Sequence, residues 1–212
     1  MTLNDVAVLR MQNHQLSTPK FKNAKELVGW MGAIQAQDFT MAKWAIGIRL
    51  PNSTEQMIDA AIDKGEIIRT HLLRPTWHFV SADDIHWMLE LAAPQIKARL
   101  KSRHTALGIT DALLAKCYKL IEKMFVEKPN IKRTEFVAQF EKAKIKNEDN
   151  RASHILLFAE LDGLICSGKI ENGETTYALL QRRVPHRDHL VWVPPLLLAF
   201  RLVLLWVSCR WM

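Results

Sequence analysis

Apolar residues recur at helical spacing along most of the chain, and this pattern predicts a mainly α-helical protein. In the first half it predicts helices near residues 3–16, 24–35, 41–50 and 53–65. Residues 66–81 are instead rich in Ile, Thr, Trp, Phe and Val, which is typical of two extended segments, here broken near Arg74-Pro75. The helical pattern then returns over residues 82–100.

The second half repeats this order. Helices are predicted near residues 110–127, 133–143 and 150–165, and a hairpin over residues 166–180. Asn172-Gly173 stands between the two strand-like runs, which is a strong signal for a tight hairpin turn. Three helices followed by a two-stranded wing is the winged-helix order. We therefore predict tandem winged-helix units, mainly α with small β-hairpin wings, over residues 1–105 and 106–189.

Residues 190–212 differ in composition, because they carry no acidic residue and only two arginines. The segment is long enough to span a bilayer. However, Arg201 lies in its middle and Pro194-Pro195 would break a helix near its start. A helical membrane anchor and an out-of-frame or truncated end both stay open. The composition favours the second, so we expect no membrane association.

Charge and cysteine content narrow the class of protein. The formal net charge is +7 and the pI is about 9.4, which favours a polyanionic partner without choosing among nucleic acid, anionic lipid and mere solubility. The content of 49% hydrophobic residues excludes a disordered chain. Three widely separated cysteines, Cys117, Cys166 and Cys209, indicate no metal site, and with no signal-peptide pattern they predict a cytoplasmic location.

Two glutamines, Gln35 and Gln37, flank one alanine in the stretch GAIQAQDF. Residues i and i+2 point to nearly opposite sides of an α-helix, so these amides can converge only where the helix breaks. Asp38 and Thr40 are both good N-cap residues for the helix that follows, and we expect Asp38 to be the cap. The pair is therefore predicted to lie at a helix–helix junction.

Three blocks of sequence together resemble one family. GAIQAQDF (residues 32–39), RTHLLRPTWHFVSADDIHWML (69–89) and GLICSGKIENGETTYALLQRRVP (163–185) are similar to the winged-helix DNA-binding family that contains the AlkZ-like and YcaQ-like bacterial DNA glycosylases. The resemblance covers about residues 1–189. It implies a C-shaped clamp on duplex DNA, excision of alkylated purines, and a water positioned by Gln35 and Gln37. Members usually carry a third winged helix, whereas this sequence departs from the pattern at Leu190, so an inactive truncated chain is an alternative.

The chemistry of the bond explains why amides could suffice. A purine alkylated at N7 already carries positive charge and leaves as a neutral molecule, so less catalytic help is needed than for an ordinary base. Two amides that hold a water and face the developing sugar cation can then act as the working groups. No Schiff-base lysine is indicated, so we expect hydrolysis without lyase activity and without a cofactor or metal.

Candidate DNA contacts lie on the predicted hairpin, at the join of the two units and at the start of a predicted recognition helix. They are Arg69, His71, Arg74, Thr76, His78, Lys101, Arg103 and Arg151. Strand alternation places Trp77 and Phe79 toward the core, and we expect Trp30, Trp44 and Trp87 to be core residues too. The leading hypothesis is a monomeric, monofunctional glycosylase acting on damaged double-stranded DNA. The alternative is a non-catalytic winged-helix DNA-binding or regulatory protein with ordinary solvated cations on its wing.

Overall fold

The computed structural model describes residues 1–185, and within them the protein is mainly helical with small antiparallel sheets, as predicted. In chain order the elements are α1 (Leu3–Asn13), α2 (Ala24–Met31), β1 (Ala33–Gln35), α3 (Phe39–Gly47), α4 (Glu55–Asp63), β2 (Ile67–Leu72), β3 (Thr76–Ser81), α5 (Ile85–Ala106), α6 (Asp111–Glu127), α7 (Arg133–Lys142), a 3₁₀ turn (Glu148–Asn150), α8 (Arg151–Leu161), β4 (Ile165–Glu171), β5 (Glu174–Leu179) and α9 (Leu180–Arg183).

Side-chain caps explain where several helices begin. Asn23, Asp38, Thr54 and Thr110 each accept a hydrogen bond from a backbone N–H in the first turn of α2, α3, α4 and α6. Such a bond satisfies one of the donors that a helix leaves unpaired at its start. The expectation that Asp38 caps α3 is confirmed, with its Oδ1 3.0 Å from the backbone nitrogen of Met41.

The first sheet has the strand order β1-β3-β2 and is antiparallel throughout. The predicted helix over residues 24–35 was too long, because α2 ends at Met31 and the chain turns at Gly32 with φ of 74°. Glycine takes this conformation without the steric cost that a side chain would add. The next three residues pair with β3, where Gln35 lies opposite His78.

The second sheet is the hairpin β4–β5, and its turn is at Asn172-Gly173 as the sequence predicted. Both residues have positive φ, 55° and 77°, which the tight hairpin turn requires at its two central positions. An isolated bridge between Ile131 and Tyr177 ties the start of α7 to this sheet. Four helices precede the β2–β3 hairpin in the first half, and α6, α7 and α8 precede the β4–β5 hairpin in the second.

Each half has its own hydrophobic core. One includes Leu27, Ile46, Ile62 and Phe79, and the other includes Ile121, Phe125, Phe136 and Phe140. Two further clusters are shared: β2, β3 and α5 pack against Cys166 and Leu180, and α5 also packs against α8. The halves thus bury apolar surface against one another. The boundary near residue 105 stays a prediction.

The expectation that Trp30 and Trp44 are core residues was wrong. Their exposed fractions are 49% and 59%, while Trp87 is half-buried. The buried residues of α3 are Ala42, Lys43 and Ile46, so Trp44 lies on the outer face of this helix.

No helix within residues 1–185 is long and apolar enough to cross a membrane. The predictions for residues 190–212, and for Cys209 with them, lie outside the described residues. Cys117 and Cys166 are buried free thiols, and burial raises their pKa values to about 11 and about 12. Such thiols are mostly protonated at neutral pH and unreactive.

Candidate active site

Gln35 and Gln37 lie in an extended segment between α2 and α3, as their spacing required. Gln35 is the last residue of β1, and Asp38 caps the helix that begins at Phe39. Ala36 between them is fully buried, whereas both glutamines are exposed. The alanine side chain is therefore turned to the core, and the glutamines on either side of it remain accessible to solvent.

Strand β3 fixes the side chain of Gln37. The Ala36 N–H donates to the Trp77 carbonyl over 2.8 Å, and the Trp77 N–H donates to Oε1 of Gln37 over 3.3 Å. The amide oxygen takes the place that a backbone carbonyl would have if β1 continued. This bond limits the rotamers of Gln37 while its amide group remains exposed.

His78 pairs directly with Gln35 across the sheet. Directly opposed residues in an antiparallel pair have Cβ atoms about 5 Å apart. The His78 Nδ1 lies 3.0 Å from the Thr76 carbonyl oxygen, which can only accept, so Nδ1 carries the proton. Burial lowers the pKa of His78 to about 4. The imidazole beside Gln35 is thus neutral at pH 7, with Nε2 as an acceptor.

Arg69 holds the same segment from the core side. Its Nε donates to the Ala36 carbonyl over 2.9 Å, and its Nη2 donates to the Gln37 carbonyl over 3.3 Å. The guanidinium carbon lies 4.3 Å from the Trp77 ring centroid and 5.4 Å from that of Phe39. Burial lowers the pKa of Arg69, yet an arginine stays charged at neutral pH.

His71 is tied to the second half of the chain. Its Nδ1 lies 3.0 Å from Oε2 of Glu160, a fully buried carboxylate on α8. The same oxygen accepts the His71 N–H over 2.8 Å and the Thr70 hydroxyl over 3.2 Å. The His71 ring also stacks on Trp77, with centroids 3.9 Å apart. The pair therefore links β2 to α8.

The predicted DNA contacts fall into two groups in the structure. Those whose side chains are turned inward, or tied to protein partners, are Arg69, His71 and His78. Those that are exposed or half-buried are Arg74, Thr76, Lys101, Arg103 and Arg151. The hairpin thus does not present all its polar groups outward, because the alternation that turns Trp77 and Phe79 to the core turns Arg69 and His71 to the same side.

A small cavity of about 180 Å³ lies where the two halves meet on the core side of the first sheet. Its lining is formed by Arg69, Trp77, Arg133, Ser167, Thr175, Thr176 and Tyr177. A larger open groove of about 620 Å³ lies between α5 and the end of α8, away from the two glutamines. Among residues 1–185 no group of three or more His, Cys, Asp or Glu side chains is placed to hold a metal ion.

Comparison with known proteins gives the family. The family model described as "DNA glycosylase AlkZ-like" matches residues 28–206. This chain belongs to the AlkZ-like DNA glycosylase family. The matched range runs past Leu190, where the sequence analysis expected the resemblance to end. No curated protein matches the sequence.

A solved structure supports the fold of this AlkZ-like chain. The DNA glycosylase AlkZ of Streptomyces sahachiroi superposes with a TM-score of 0.70 at 19% sequence identity. The superposition covers 85% of this chain and 50% of that protein. This chain therefore spans about half the length of the solved relative.

Sequence reasoning missed two groups that hold the first sheet in place, one of them in contact with Gln37. The Trp77 N–H that bonds Gln37 is a backbone group, and no residue type signals it. Glu160 did leave a signal, because it is a single acid inside the apolar run from Ile155 to Leu161. A buried acid needs a hydrogen-bond partner, and here that partner is His71 of the first hairpin.

Proposed function

We propose that this chain is a tandem winged-helix DNA glycosylase that hydrolyses the N-glycosidic bond of N7-alkylated purines in duplex DNA. The observation that carries the proposal is that Gln35 and Gln37 are both exposed where the chain passes from β1 to α3, with buried Ala36 between them. Two exposed amides this close in the chain can hold one water molecule.

The proposed reaction follows from these groups. The water oxygen forms a bond to the sugar carbon as the bond to the purine breaks. The bonding electrons neutralise the cationic base, and the water releases a proton to solvent. The side chain of Asp38 is occupied as a helix cap and His78 is buried, so the proposal assigns the water to the two exposed amides. Their dipoles also face the developing sugar cation.

The exposed and half-buried cations supply the proposed DNA contacts. Arg74 lies at the turn of the first hairpin, Lys101 and Arg103 lie on α5, and Arg151 begins α8. Together with the net charge of +7 they suit a duplex backbone. The proposed protein acts as a cytoplasmic monomer on damaged DNA and needs no cofactor.

The test is base release under single-turnover conditions from a duplex that contains one N7-methylguanine. Gln35→Ala and Gln37→Ala are each expected to slow release by about a hundredfold or more, while the Kd for the duplex changes by less than about threefold. Gln56→Ala, an exposed glutamine on α4, is the matched control and should react like the parent. Parental rates in both motif variants would contradict the mechanism.

A second candidate function is DNA binding without catalysis. The observation that favours it is that the chain spans only half of the solved relative, so groups of a longer protein could be needed for the reaction. Selection from random duplexes separates the two. A glycosylase prefers damaged DNA of any sequence, whereas a regulator enriches one intact sequence.

A further inference from the structure

Arg69 connects the Gln35–Gln37 segment to the rest of the protein on the side away from solvent. Its guanidinium donates to the carbonyls of Ala36 and Gln37 and lies between the rings of Trp77 and Phe39. One buried side chain, that of Arg69, thus holds the backbone that carries both candidate catalytic amides.

We propose that Arg69 is a positioning residue that sets the spacing of the two glutamine amides, and that the second half of the chain sets the place of Arg69 in turn. This inference rests on the proposed function. It also replaces the sequence-based hypothesis that Arg69 contacts DNA.

The chemistry of the side chain explains why arginine suits this position. A guanidinium is planar and carries several N–H donors in a fixed fork, so it can bond two successive carbonyls and stack on aromatic rings at the same time. A lysine has one ammonium on a flexible stem and cannot make both bonds while stacking. Because the Ala36 and Gln37 carbonyls belong to two successive peptide units, binding both restricts the backbone rotation at Gln37 between them.

The second half of the chain reaches Arg69 through the edge of the first sheet. Strand β2 is an edge strand, and its outward N–H groups at Arg69 and His71 have no strand partner. The hydroxyl of Ser167 accepts the first over 2.8 Å, and Glu160 accepts the second over 2.8 Å. Both acceptors belong to α8 and β4, so these elements determine where the backbone of Arg69 lies.

The consequence for catalysis is geometric. A water positioned for attack tolerates little displacement, and an error of about 1 Å can cost about a hundredfold in rate. Loss of the two Arg69 hydrogen bonds allows the backbone between the two glutamines to move, while both glutamine side chains remain unchanged. The effect should therefore fall on the chemical step and leave DNA affinity nearly unchanged.

The kinetic test compares Arg69→Lys and Arg69→Met with Arg10→Met, a matched change of an exposed arginine on α1. On the N7-methylguanine duplex we expect the single-turnover rate at saturating protein to fall by about 10- to 100-fold in the Arg69 variants, with a Kd within about threefold. Arg10→Met should bind and react like the parent. If saturation restores the rate of Arg69→Lys, Arg69 is a DNA ligand and the proposal is wrong.

Ser167→Ala keeps the proposal testable should the Arg69 variants fail to fold. It removes the acceptor of the Arg69 N–H and leaves the motif and the guanidinium intact. We expect a rate decrease of about three- to tenfold, between the parent and Arg69→Lys. A parental rate in this variant would overturn the link between the two halves.

A second readout does not depend on activity. The side-chain amide signals of Gln35 and Gln37 can be assigned in ¹⁵N NMR spectra through the two alanine variants, with Gln56 as an internal reference. In Arg69→Lys, or in Ser167→Ala, the motif signals should shift or broaden while those of Gln56 stay in place. Unchanged motif signals would refute the positioning role. Displaced signals in a chain whose parent releases no base would support positioning and refute the proposed function.

Discussion

Replacement of Glu160 tests how strongly α8 holds the first sheet. The carboxylate is fully buried and accepts three hydrogen bonds, from the His71 N–H, the His71 ring and the Thr70 hydroxyl, at 2.8, 3.0 and 3.2 Å. Glu160→Ala removes all three acceptor contacts at once. It leaves three donor groups of β2 without their acceptor and opens space beside the aromatic stack.

The expected loss follows from these contacts. Breaking a buried, hydrogen-bonded pair by removing one partner costs about 3–5 kcal/mol. For a domain of this size each kcal/mol corresponds to about 2–4 °C in Tm. Glu160→Ala should therefore lower Tm by about 6–20 °C. Glu160→Gln keeps an oxygen for the His71 N–H and should lie between the alanine variant and the parent.

The assay is thermal and urea unfolding followed by circular dichroism at neutral pH. Glu122→Ala on the exposed face of α6 is the matched control and should change the free energy of unfolding by less than about 0.5 kcal/mol. A Glu160→Ala protein that melts within about 2 °C of the parent would show that these contacts contribute little, and the argument for a rigid link between the halves would fail.

Two further predictions concern the hairpins. Because burial lowers the pKa of His78 from 6.5 to about 4, the unfolded chain takes up a proton below pH 6.5 that the native state refuses. The free energy of unfolding should thus fall by about 3 kcal/mol as the pH drops from about 6.5 to about 4. In His78→Asn, the free energy of unfolding measured in urea should depend less steeply on pH over this range. Gly168→Ala would bring its Cβ to 2.4 Å from Oγ1 of Thr176 and should cost about 3 kcal/mol in urea unfolding. The control Gly173→Ala meets no atom within 4 Å and should cost about 1 kcal/mol for its φ of +77°; equal losses at the two glycines would contradict the packing argument.

Local signals predicted much of the fold. Apolar spacing located the helices to within a few residues, and Asn172-Gly173 located the second hairpin turn. The i, i+2 spacing of Gln35 and Gln37, with a cap residue after them, predicted the break between helices. These features depend on residues that are close in sequence, so a short stretch of the sequence is enough to predict them.

Features that depend on distant partners were not predicted. Strand β1 is only three residues long and exists because β3 offers it an edge, so its residues were assigned to the preceding helix. Arg69 lies among other basic and polar residues of the hairpin, and nothing in that stretch distinguishes an arginine turned to the core from a solvated one. The partners of its side chain are Ala36 and Phe39, about thirty residues away in sequence, and its backbone N–H is bound by Ser167 of β4, nearly one hundred residues away.

The exposed edges of the two sheets give a physical reason for the chain to act as one unit. The outward N–H of Arg69 in β2 is bound by Ser167 of the second half, and the N–H of Ile170 in β4 is bound by Asp63 of the first half over 2.8 Å. Each half thus satisfies a backbone donor that the other half's sheet leaves open, and an open sheet edge is otherwise a site for unwanted pairing. Strand β3 separates the candidate amides from this junction. A ligand that shifts one half against the other would therefore move the support of the Gln35–Gln37 segment, and under the proposed function the rate of base release would then depend on how the two halves bind DNA.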